Sequence, residues 1–95
     1  MLKVIVTCFV QPGTSDAFLA LVRRLAAAAR GEPGCVAYQV CQDVADGNTI
    51  LLVEEWENRE ALFAHMAQPV FKELTDQASV LHAREPEYRT CLVAG

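Results

Sequence analysis

A chain of 95 residues is the length of one domain. With 53% hydrophobic residues it carries more apolar surface than a lone two-layer domain of that size hides, so association is expected. Eight basic against 12 acidic residues give a net charge of −4, and no basic run exceeds Arg23–Arg24, so the stripe of cations that nucleic acid needs is excluded.

The first predicted strand covers residues 2–10, LKVIVTCFV. Leu2, Val4, Val6, Cys8 and Val10 point one way and Ile5, Thr7 and Phe9 the other, so both faces need cover. The apolar run is too short to span a bilayer and no small-residue cleavage site follows it, so a soluble protein without a membrane partner is expected. Gln11, Pro12 and Gly13 stop the strand. Thr14 or Ser15 then caps a helix to about Arg30, with Phe18, Leu21, Val22, Leu25 and Ala29 as its apolar stripe. Gly31 ends it, and Pro33–Gly34 makes the following turn.

A second strand runs from about Cys35 to Gln42, with Val36, Tyr38 and Val40 on one face. Asp46-Gly47-Asn48 turns the chain into a third strand over 49–57, which places Ile50, Leu52, Glu54 and Trp56 on one face. Asn58 caps a helix over 59–67 whose stripe is Leu62, Phe63 and Met66. Pro69 interrupts it and starts a new helical turn, and Val70, Phe71, Leu74 and Ala78 continue the apolar side to about Leu81. Residues 83–86 read as a loop with His82 exposed beside them. Residues 87–93 form a last strand that alternates Tyr88, Thr90 and Leu92 against Arg89, Cys91 and Val93.

The order β-α-β-β-α-β, with its second helix broken at Pro69, is the split βαβ pattern of a single α+β, ferredoxin-like domain over residues 1–95. Two helices cover one face of a four-stranded sheet, and a second copy of the chain is the expected cover for the other, in a symmetric homodimer. Cys8, Cys35, Cys41 and Cys91 lack C-x-x-C spacing and read as reduced packing residues of a cytoplasmic protein.

The stretch EPGCVAYQVCQD followed by GNTILLVEEWENREALFAHMAQPVFKEL resembles the antibiotic biosynthesis monooxygenase family. That family carries a Pro-Gly turn, a Tyr-bearing strand, E-x-W closing the next strand, and a helix whose His precedes a Pro and a Phe. The matching residues here are Pro33–Gly34, Tyr38, Glu54 and Trp56, His65, Pro69 and Phe71, and the spacing fits from residue 2 to about 93. The resemblance implies a dimeric α+β barrel in which each sheet and its helices enclose a pocket. It also implies oxidation of a hydroquinone-like or polyketide aromatic substrate by O2 without a cofactor. The position before the Phe is often His in the family and is Val70 here, which removes one candidate acid or base. Where the haem-degrading relatives carry their ligand His this chain has Leu74 and Thr75, and their usual Asn falls near Thr7, which disfavours haem degradation.

His65 borders the apolar stripe of its helix, as a base that titrates near neutral pH or as a structural His bonded near the helix end. Glu54 is the lone charge on its strand face, so it is either ion-paired or held protonated as a usable base. Trp56 reads as a stacking wall for an aromatic ligand or as core packing. Tyr38, Phe71 and Tyr88 line either a pocket or the core. No Gly-rich phosphate loop or nucleophile elbow is present, and two distant His without a clear carboxylate partner make no metal site. No cofactor and no metal are therefore expected. The leading expectation is a cofactor-independent monooxygenase acting on a quinol or polyketide-like phenolic, its small aromatic substrate losing a proton to His65 or Glu54. An isomerase acting on a small ketone by proton transfer, and a non-catalytic small-molecule binder, are the alternatives.

Overall fold

The computed structural model describes residues 1–93. Its elements are β1 (Leu2–Val10), α1 (Ser15–Arg30), β2 (Cys35–Gln42), β3 (Thr49–Trp56), α2 (Arg59–Met66), α3 (Pro69–Ser79) and β4 (His82–Leu92). The strands form one antiparallel sheet in the order β2-β3-β1-β4, the α+β ferredoxin-like arrangement expected from the sequence. Among the described residues no helix is long and apolar enough to cross a membrane.

The alternation of β1 and β3 assigns the faces. Leu2, Val4, Val6, Cys8 and Val10, with Ile50, Leu52, Glu54 and Trp56, are all buried beneath the helices. Ile5, Phe9, Leu51 and Val53 turn outward, where no element among the described residues covers them, and are half-buried by their neighbours. Lys3 pairs with Glu55 at 3.9 Å at one margin of that face, and the Arg84 guanidinium lies 3.7 Å over the Phe9 ring at the other.

Four local expectations are corrected. Thr14 stands at the N-cap of α1, but its hydroxyl donates to Gln11 O at 2.6 Å and leaves the helix uncapped by a side chain. In α1 the buried stripe includes Leu19 and Ala26, while Leu21 is only half-buried. In β2 the register shifts between Cys35 and Ala37, which makes Val36 the extra residue of a bulge and exposes it. The expected loop at 83–86 belongs to β4, which starts at His82. This strand lies at the sheet edge and pairs with β1 alone, so Pro86 withholds no N–H from a second neighbour, and register shifts between Thr7 and Val10 absorb the irregularity. The Gln11 amide donates to Val80 O and His82 O and ties the start of β4 to the end of β1.

The broken second helix follows the sequence closely. Asn58 caps α2 by accepting from Ala61 N at 2.9 Å, and Pro69 takes the first position of α3 after Gln68. Of the expected apolar stripe of α2, Leu62 is half-buried against the core, but Phe63 is 59% and Met66 42% exposed, and the fully buried residue is His65.

Candidate active site

The register places Tyr38, Glu54, Val4 and Thr90 in one row across the helix-facing side of the sheet. Glu54 is 4% exposed in the middle of that row. One of its oxygens, Oε1, accepts from Trp56 Nε1 at 3.0 Å, a bond between two residues on the same strand face. Trp56 is wholly buried. From α2, His65 lays its ring on the indole, with centroids 4.6 Å apart and planes inclined by 33°. Phe71 and Tyr38 meet the same imidazole edge-on at 5.1 and 5.9 Å. The imidazole is 2% exposed, and its Nδ1 lies 2.7 Å from Glu32 Oε1.

Two cavities lie between helices and sheet. The larger, about 630 Å³, opens among α1, α3 and β4, with Tyr38, Glu54, Phe71, Leu74, His82 and Tyr88 among its lining. The smaller, about 200 Å³, is bounded by Val4, Leu62, His65, Met66 and Thr90. Val6, Glu54, Phe71 and Tyr88 border both, so the carboxyl sits where the two spaces meet. A volume of several hundred Å³ with mainly apolar walls and a few converging polar groups suits a small organic ligand.

Burial pushes the Glu54 carboxyl above the ordinary carboxylate range, and the Trp56 hydrogen bond, the His65 charge and the Tyr38 hydroxyl only partly oppose it. Burial likewise raises the phenols of Tyr38 and Tyr88, which stay protonated as hydrogen-bond donors. The Cys8 thiol is pushed up to about 11 by burial and by Glu54, so it is no nucleophile at neutral pH.

The raised Glu54 pKa has a consequence for stability. Between the ordinary and the raised value the folded state holds a proton that the unfolded state has lost, so stability falls as pH rises through that window. In Glu54→Gln this loss disappears. The variant is expected to gain stability over the wild type above the window and to lose that gain below the ordinary carboxylate range. Thermal melts of both proteins from about pH 4 to pH 8 check this, and a difference that is constant with pH contradicts it.

Of the residues expected at the site, Glu54, Tyr38, Phe71 and Tyr88 border the larger cavity and His65 the smaller. Trp56 lines neither, because His65 covers its ring, so the indole supports the site from behind and offers no stacking surface to a ligand. Tyr88, 69% exposed, stands on the helix-facing side of the edge strand as the outermost aromatic wall. Two residues were not anticipated. Glu32, 33 positions before His65, supplies the carboxylate partner that the sequence did not show. His82, expected to be exposed, packs edge-on against Phe18 at 5.4 Å and borders the larger cavity, and burial lowers its pKa.

A family model for antibiotic biosynthesis monooxygenases matches residues 1–77. A crystal structure bearing the name antibiotic biosynthesis monooxygenase is 32% identical, covers 100% of both chains and superposes with a TM-score of 0.93. A conserved protein from Methanosarcina mazei Go1 is 26% identical over 95% of this chain and 89% of its own, with a TM-score of 0.90. An uncharacterised protein of Synechocystis is 33% identical over 85 residues, which are 90% of this chain; the match spans only 58% of that relative's length.

Proposed function

The chain belongs to the antibiotic biosynthesis monooxygenase family, and from that premise we propose that it oxidises a quinol or polyketide-like phenolic with O2, without a cofactor. The observation that carries this reading is the Glu54 carboxyl, buried and raised in pKa at the junction of two largely apolar cavities, with His65 beside it. A carboxylate that holds a proton tightly is a strong base once ionised. In this reading the phenolic ring sits where the two cavities meet, between Phe71 and Tyr88, and Glu54 or His65 takes its proton. Deprotonation makes the ring electron-rich enough to pass an electron to O2, and the radical pair recombines as a peroxide on a ring carbon. Removal of the remaining hydrogen from that carbon then breaks the O–O bond. One oxygen stays as a carbonyl; the other, protonated to a hydroperoxide by the phenolic proton that the base returns, leaves as hydroxide and becomes water with the proton taken from the carbon. The protein supplies the base, the hydrogen-bond donors Tyr38 and Tyr88, and the exclusion of water. Oxygen uptake with a panel of quinols, corrected for autoxidation, tests the reading.

The proposal includes a homodimer built on the outward sheet face. Its centre, Ile5, Phe9, Leu51 and Val53 with Thr7 among them, is largely apolar, and its margin carries Lys3, Glu55, Arg84, Glu87 and Arg89, the pattern of an interface core with a polar rim. Sedimentation at micromolar concentration is expected to give twice the 10.4 kDa chain mass. A folded 10.4 kDa species contradicts this.

A further inference from the structure

We propose that Glu32 is a positioning residue: it fixes the hydrogen of His65 on Nδ1 and so leaves Nε2 free to accept a proton. The inference rests on the oxygenase reading only where it concerns turnover; its structural part stands alone.

The placement of Glu32 follows from the turn that holds it. Glu32, Pro33 and Gly34 join α1 to β2. Gly34 adopts φ +83°, and a Cβ there would lie 2.5 Å from the Ala61 Cβ. Only glycine lets the turn come this close to α2. Gly34 O also accepts from Glu57 N at 2.8 Å, which anchors the turn just before that helix. Ala61 and His65 are four residues apart, so they share one face of α2. A turn pressed against Ala61 therefore brings the preceding Glu32 under His65, and the 2.7 Å contact results.

The chemistry follows from the two groups. An ionised carboxylate accepts hydrogen bonds and donates none, so the imidazole nitrogen facing it carries the hydrogen. The other nitrogen then holds the lone pair, on a ring that borders the smaller cavity. Trp56, Phe71 and Tyr38 pack around the ring, so it has little freedom to turn. When Nε2 takes a proton, the imidazolium charge is balanced at once by Glu32. The titratable groups facing His65 are Glu32 from the turn, Glu54 from β3 and Tyr38 from β2. Tyr38 remains neutral, so the groups facing the ring that can carry charge are the two carboxyls.

The test uses the full chain, 15N-labelled; His82→Gln serves only to assign the two imidazoles, and kinetics are measured with His82 in place. The nitrogen chemical shifts report which ring nitrogen bears hydrogen, without substrate. The wild-type ring is expected to carry it on Nδ1. Glu32→Ala should release it to a mixture of tautomers and lower kcat for a quinol by about 10²-fold. Glu32→Gln retains an acceptor oxygen, so it should preserve the tautomer and lose only about 10-fold, through the missing charge. A purely structural role would lower thermal stability in Glu32→Ala and leave tautomer and pH profile alone. The proposal is overturned if the wild-type hydrogen sits on Nε2, or if Glu32→Ala keeps either the wild-type tautomer or the wild-type kcat. If the wild type turns over no quinol, the oxygenase reading falls, and the tautomer of the wild type and Glu32→Ala still decides the role of Glu32.

Discussion

Glu54→Gln is expected to lower quinol turnover by on the order of 10² to 10⁴, the range for loss of a positioned base, while raising stability at neutral pH. The two effects come from the same property. The buried carboxyl is unfavourable in its charged form, and that is what makes it basic. Glutamine has the same shape and keeps an oxygen for Trp56 Nε1, now 3.0 Å from Glu54 Oε1, so the strand face is preserved. It cannot accept the phenolic proton. His65→Ala tests the neighbouring base with the same readout, but it also empties the space among Trp56, Tyr38 and Phe71. Its kinetics are therefore read beside a thermal melt. If both variants turn over quinol at the wild-type rate, neither residue is the base.

The largest effect on stability is expected at Trp56. It is wholly buried, and truncation to alanine removes an indole that touches both catalytic candidates. Core Trp→Ala changes typically cost about 3–5 kcal/mol, a large part of the stability of a small domain. Trp56→Phe separates packing from hydrogen bonding. It retains an aromatic ring for His65 to lie on, but withdraws the N–H that stabilises the charged form of Glu54. The lost bond is expected to cost about 1–3 kcal/mol. The Glu54 pKa should rise further, which moves the pH dependence of both stability and turnover to higher pH. Denaturant unfolding and pH–rate profiles of the two variants check this. A pH profile unchanged in Trp56→Phe contradicts the assigned role of the indole.

The sheet was legible because its side-chain period is strict. Alternation in residues 2–10 and 49–56 assigned each side chain to its face, and Pro69 and Asn58 marked the break and start of the helices. The edge strand was less so. Pro86 reads as a terminator in any strand bonded on both sides, and only the strand order shows that β4 has one neighbour. In α2 hydrophobicity misled, since Phe63 and Met66 look like core and His65 does not. Its environment is made by Glu32, Trp56 and Phe71 from three other segments, and no local pattern carries that information. The E-x-W spacing did place Glu54 and Trp56 on one face. It did not reveal that His65 covers the indole, which decides between the two readings of Trp56, stacking wall or core packing, for the second.

The proposed oxidation depends on a pocket that deprotonates an aromatic substrate so that it reacts with O2 directly. Oxygen-electrode measurements with small hydroquinones and anthrone-like phenolics, against protein-free controls, test it most directly. Saturable uptake well above autoxidation is expected, with one O2 consumed per carbonyl formed and a marked fall in Glu54→Gln. Uptake no faster than the control across the panel contradicts it.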